Sequence, residues 1–97
     1  MKSFRFLPDA TAELFEAVDF YNGRESGVGF RFLDAVDATI RQIADDPSTG
    51  PFVGKRVQRR PVHDFPFDVL YFDRESEVII VTVRHYSRRD NYWQDRL

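Results

Sequence analysis

Cysteine is absent from the 97-residue chain, which excludes a disulfide scaffold and any thiolate zinc site. Two histidines remain, a poor start for a transition-metal centre. No run of about eighteen apolar residues occurs, as a membrane span would need. The opening MKSFRFLPD places Arg5 and Asp9 where a secretory leader requires an apolar stretch. The expectation is a cytoplasmic protein with no membrane association. A surplus of positive charge is also lacking: 14 Lys and Arg stand against 16 Asp and Glu, a net charge of −2. That disfavours a nucleic-acid binder held by its overall charge. What the chain does have is apolar material, 42% hydrophobic and 15% aromatic with ten Phe. This is too much for a disordered chain and enough for one core, so residues 1–97 read as a single domain.

The charge is unevenly spread. Residues 1–50 hold five Lys or Arg against nine acids, and residues 51–97 hold nine against seven. Two basic clusters account for this, Lys55, Arg56, Arg59 and Arg60, then Arg84, Arg88 and Arg89 around His85.

Periodicity divides the chain into elements. Lys2 to Leu7 alternates, with Phe4 and Phe6 on one face, as a half-buried strand does, and Pro8 ends it. Residues 9 to 22 carry Leu14, Ala17, Val18 and Tyr21 at helical spacing, with Asp9 as N-cap or first-turn acid and Asn22-Gly23 as the stop. Ser26 can cap a second helix over 26 to 46, whose stripe is Gly29, Leu33, Val36, Ile40 and Ile43 and which Asp46-Pro47 closes. The short link implies an antiparallel helical hairpin. After the loop Pro47 to Gly54 the period changes to that of strands. These are Val57 to Val62, with Pro61 marking an edge or an end, then Phe67 to Phe72 and Val78 to Tyr86 as a hairpin across residues 73–77. His63 to Pro66 reads as a turn that Asp64 caps, with Phe65 and Phe67 in the core. The last strand is apolar on both parities and is expected to be central. Arg84 shares the parity of Val78, Ile80 and Thr82, and His85 that of Ile79, Val81 and Val83, so their side chains leave opposite faces unless the strand bulges. The fold class is α+β, in the order β-α-α-β-β-β, with the hairpin on one face of a four-stranded, mainly antiparallel sheet and the other face open.

Several stretches, taken in order, resemble one family. They are Ala12-Glu13-Leu14 through Tyr21, the helix end Ile43-Ala44-Asp45-Asp46-Pro47, the run Asp64 to Tyr71, and Arg84-His85-Tyr86 with Arg88-Arg89, Tyr92-Trp93 and Arg96. The set is similar to the RelE/ParE superfamily of toxins from bacterial type II toxin-antitoxin modules, associated with plasmid stabilisation, and it covers nearly the whole chain. The resemblance implies a growth inhibitor neutralised by a cognate antitoxin protein, with no cofactor and no metal. Two activities live in that superfamily. ParE-like members bind DNA gyrase and trap it on cleaved DNA; RelE-like members cut messenger RNA on the ribosome without a metal.

Cleavage of RNA needs a base for the 2′-OH, an acid for the leaving oxygen and cations for the phosphorane. The candidates are Arg60, Arg84, His85 and Tyr86. The structural reading of His85 is a strand-end histidine hydrogen-bonded to backbone. For a binding poison, the candidate target-binding residues are Arg59, Arg60, Arg84, Arg88 and Arg89. Trp93 reads as the anchor of the tail, and Lys55 to Arg60 has the competing reading of an edge strand protected by charge. Acidic net charge, and the absence of an acid-base pair that spacing puts on one face, favour gyrase over the ribosome.

Overall fold

Pro8 locks its own φ and lacks an N–H, so it suits the first helical position and cannot continue the strand before it. The computed structural model accordingly turns from β1 (Ser3–Phe6) into α1 (Pro8–Arg24), and it describes residues 2–89 and 91–97. Asp9 is the first-turn acid, and Leu7 takes the cap position. The helix runs two residues beyond the expected stop at 22, since Glu25 N–H still reaches Tyr21 O at 3.0 Å. The second helix, α2 (Val28–Asp45), does not begin at Ser26. Its N-cap is Gly27 in the left-handed region at φ 91°, with no side-chain cap. Asn22 supplies the missing acceptor from α1, taking the Gly29 N–H on Oδ1 at 2.7 Å. A Cβ on Gly29 would lie 2.2 Å from Val18 O, so this glycine sets the close approach of the two helices.

Both helices bury one stripe. Ala10, Leu14 and Val18 of α1 and Phe32, Val36, Ile40 and Ile43 of α2 meet the sheet residues Val69, Tyr71, Val78 and Ile80. Phe32 centres an aromatic group, with ring centroids 5.4 Å from Tyr21, 5.1 Å from Phe65 and 4.7 Å from Phe67. Each fully buried side chain of this size contributes about 1.5–3 kcal/mol.

The remaining strands are β2 (Val57–Pro61), β3 (Phe67–Asp73) and β4 (Glu77–His85), in sheet order β1-β4-β3-β2. The last strand is central, as expected. The sheet is mixed: β2, β3 and β4 pair antiparallel, whereas β1 runs parallel to β4. The hairpin explains the direction. It returns the chain to the level of its start, where Lys2 N–H donates to Ala44 O at 3.0 Å. So β2 leaves in the direction of β1, and two reversals later β4 does too.

Strict alternation fails once, in β4. Tyr71 faces Ile80 while Leu70 faces Thr82, leaving Val81 as an extra residue in a β-bulge. Val81 therefore joins the core on the second sheet face, Thr82 pairs opposite Leu70 of that face, and Val83 returns to the helical core with Val78 and Ile80. This corrects the parity grouping of Val83 with Val81. Arg84 and His85 still leave opposite faces. The second sheet face is not left open either: Trp93, 2% exposed, packs there on Val57, Leu70 and Val81, with Leu7, Val53, Phe72 and Tyr92 around it. Among the described residues no helix is long and apolar enough to cross a membrane.

Candidate functional site

The face away from the helices gathers arginines from separate stretches of chain. Asp68 on β3 is 2% exposed, and a buried carboxylate needs a counter-charge. Two arginines provide it at one oxygen: Arg59 Nη1 of β2 at 3.4 Å and Arg84 Nη2 of β4 at 3.3 Å from Oδ2. The other oxygen, Oδ1, is buried with no hydrogen-bond partner among the described residues. The two guanidinium groups thus share one carboxylate oxygen, with Arg59 half-exposed.

Beyond this pair the tail is latched to the sheet. Arg96 forks onto Glu13 of α1, with Nη1 to Oε1 at 2.7 Å and Nη2 to Oε2 at 2.9 Å, and Nη1 also donates to Val81 O at 3.0 Å. Thr82 Oγ1 donates to Glu13 Oε1 at 2.8 Å and meets the Tyr92 hydroxyl at 2.6 Å. The hydrogen bonds and charge of Glu13 hold the Arg96 guanidinium above its ordinary value, against partial desolvation. Burial likewise raises the Tyr92 phenol. Arg88 stacks over the Tyr92 ring with Cζ 3.9 Å from the centroid. Arg89 borders a groove of about 660 Å³ with Asn91, Tyr92 and Asp95.

The sequence-derived candidates thus divide between the two faces. Arg59, Arg84 and Arg88 lie on the tail side, with Arg89 beside them. Arg60 pairs opposite Val69, on the helical side, where its Nη2 donates to Asp46 O at 3.2 Å and bonds to Thr49 Oγ1. His85 is on that side too, its ring edge-on to Phe67 with centroids 5.0 Å apart. Its Nδ1 accepts the Ser87 N–H at 3.0 Å. Tyr86 is exposed, tied to the sheet through its N–H to Pro66 O at 3.0 Å. Arg60 and Arg84 are therefore separated by the thickness of the sheet, and the described residues bring no carboxylate to His85. Among the described residues no group of three His, Cys, Asp or Glu side chains could hold a metal.

Sequence reasoning passed over Asp68, Glu13 and Thr82. For Asp68 a signal existed: a lone charge between Phe67 and Val69, in a strand buried on both faces, must be paired.

The family model described as the ParE toxin of the type II toxin-antitoxin system, parDE, matches residues 4–90. A solved structure, the chromosomal ParDE toxin-antitoxin system from P. aeruginosa, is similar in fold. It superposes with a TM-score of 0.78 at 16% identity, covering 88% of this chain and 96% of that one. No curated protein matches the chain.

Proposed function

Because the chain belongs to the ParE toxin family of type II toxin-antitoxin systems, we propose that this toxin arrests growth by binding DNA gyrase in the cytoplasm and holding it on cleaved DNA. The face that binds carries Arg59, Arg84, Arg88 and Arg89. A cognate antitoxin keeps the toxin inert, docking where β1 offers an unpaired edge beside an apolar groove of about 140 Å³ between Phe4, Phe6, Leu33 and Val36.

One observation carries the choice of binding over chemistry. Arg60 and His85 stand on the helical side of the sheet, and Arg84 on the other. An endoribonuclease would need its base, acid and phosphate-stabilising cation around one scissile bond. Cations fixed by stacking and by a shared carboxylate instead suit a surface that recognises a partner. Two assays on the purified toxin test this: supercoiling by gyrase with a readout of cleaved DNA, and ribosome-dependent cleavage of message. Inhibition with accumulation of cleaved DNA is the expected result. Cleaved message with unaffected gyrase would establish the ribonuclease reading instead.

A further inference from the structure

A second cationic site lies at the other end of the same face. Arg5 of β1, Arg56 from the loop before β2, and Arg74 from the β3–β4 turn converge on one groove of about 270 Å³ with Arg96, Leu7 and Phe72. Three stretches far apart in sequence thus bring like charges together, which repel unless something neutralises them. Little in the molecule does. Arg5 reaches Glu77 at 3.2 Å and Arg96 is committed to Glu13, but Arg56 and Arg74 are exposed and have no carboxylate partner among the described residues. Arg56 sits over the Phe72 ring, its Cζ 4.7 Å from the ring centroid. The ring contact anchors the cation, and the residue remains exposed to the outside.

The site is aligned with the first one. Phe72, under Arg56, and Asp68, under Arg59 and Arg84, are four residues apart on the same side of β3. That is about 14 Å at the rise of a strand, and Tyr92 with Arg88 is also on this face. The same length is about four phosphate-to-phosphate steps along one strand of a duplex. Forked, always-charged guanidinium groups are suited to bidentate contact with phosphate oxygens.

We propose that the groove at Arg5, Arg56 and Arg74 binds the phosphodiester backbone of duplex DNA. It would hold the DNA on the toxin alongside the protein contact made through Arg59, Arg84 and Arg88. The choice of DNA as the polyanion rests on the gyrase reading, and the test contains no gyrase, so the two fail separately.

The test is fluorescence anisotropy of a labelled short DNA duplex with the purified toxin in about 50 mM salt, where non-specific binders reach micromolar affinity or better. Arg56→Ala and Arg74→Ala are each expected to weaken binding about 3- to 10-fold. Each should also reduce the slope of log affinity on log salt by about one. Arg41→Ala, on the helical side and paired with Asp37, should change neither quantity. Absence of duplex binding, or binding that neither groove variant weakens, overturns the proposal. So does a polyglutamate peptide of equal charge that binds as tightly and is lost with the same variants, or an RNA duplex of the same sequence that is clearly preferred.

Discussion

Replacing Asp68 by asparagine keeps the size of the side chain and removes the charge that Arg59 and Arg84 share. Breaking a fully buried pair costs about 3–5 kcal/mol, and the half-exposed Arg59 lowers this, so a loss of about 2–3 kcal/mol is expected for Asp68→Asn in urea unfolding. A loss under about 0.5 kcal/mol, the level of an ordinary surface change, would mean the arginines do not depend on Asp68. The latch gives a related expectation: Glu13→Gln removes the charge that Arg96 forks onto and should cost about 2 kcal/mol. His85 is predicted to matter little to toxicity. His85→Ala should leave growth arrest within a few-fold of the parent, against the 10²–10⁴ that general acid-base catalysis contributes. The phenols of Tyr71 and Tyr92 are pushed by burial above their ordinary value of 10.0. Above about pH 10 the unfolded chain gives up these protons while the folded chain keeps them. Stability from this source is therefore intact below about pH 10 and lost as pH rises further, and Tyr71→Phe/Tyr92→Phe should flatten that decline in alkaline melts. An unchanged slope would place the cause in other groups.

At the scale of elements, the bulge in β4 makes an unusual forecast. Removing Val81 lets Ile80 opposite Tyr71 be followed directly by Thr82 opposite Leu70, so a regular ladder results and both flanks keep their faces. The variant should fold, weaker by about 1.5–3 kcal/mol for the lost buried valine. Removing Val83 instead turns Arg84 toward the helical core and His85 away from it, and that chain should not give a cooperative melt. Cooperative unfolding of both deletions would show that the register slips freely. The same bulge marks how far the sequence could be read. Helical stripes, turn residues and period-two runs located both α-helices and all four strands to within a few residues, and the parity argument put Arg84 and His85 on opposite faces. Val81 and Val83 look identical in a run of alternating apolar residues, so nothing local says where alternation breaks. The parallel pairing of β1 with β4 is hidden for a similar reason, because it depends on where the helical hairpin returns the chain. Ser26 looked like a cap, but Asn22 reaches Gly29 across the interhelical turn, a contact set by helix packing. The arginines of the site were legible as clusters; Asp68 was marked only as a lone charge in a buried strand, without its partners, and Glu13 was not marked at all, since its role is defined by Arg96 on a distant element.

For the molecule as a whole, charge is separated by layer. The helical segment 8–46 contains nine acids and three arginines, and the rest of the chain eleven bases and seven acids, so −6 faces +4 within a net charge of −2. Such a distribution steers partners toward one face. The chain should therefore be retained on a cation exchanger at pH 7 in low salt in spite of its acidic net charge, and Arg56→Ala/Arg59→Ala should elute earlier. Passage through the column unretained would contradict this separation. The parallel edge strand has a consequence of another kind, in time. Ser3–Phe6 finds its sheet partners only at Glu77–Ile80, and the 71 positions from Phe6 to Glu77 take on the order of 4–14 s to translate at typical rates. Through that interval the β1 segment has no strand to join and α1 lacks Val78 and Ile80 of β4 beneath it. The toxic fold thus comes into being only once Glu77–Ile80 has been made, and an antitoxin already made has those seconds to be waiting for it.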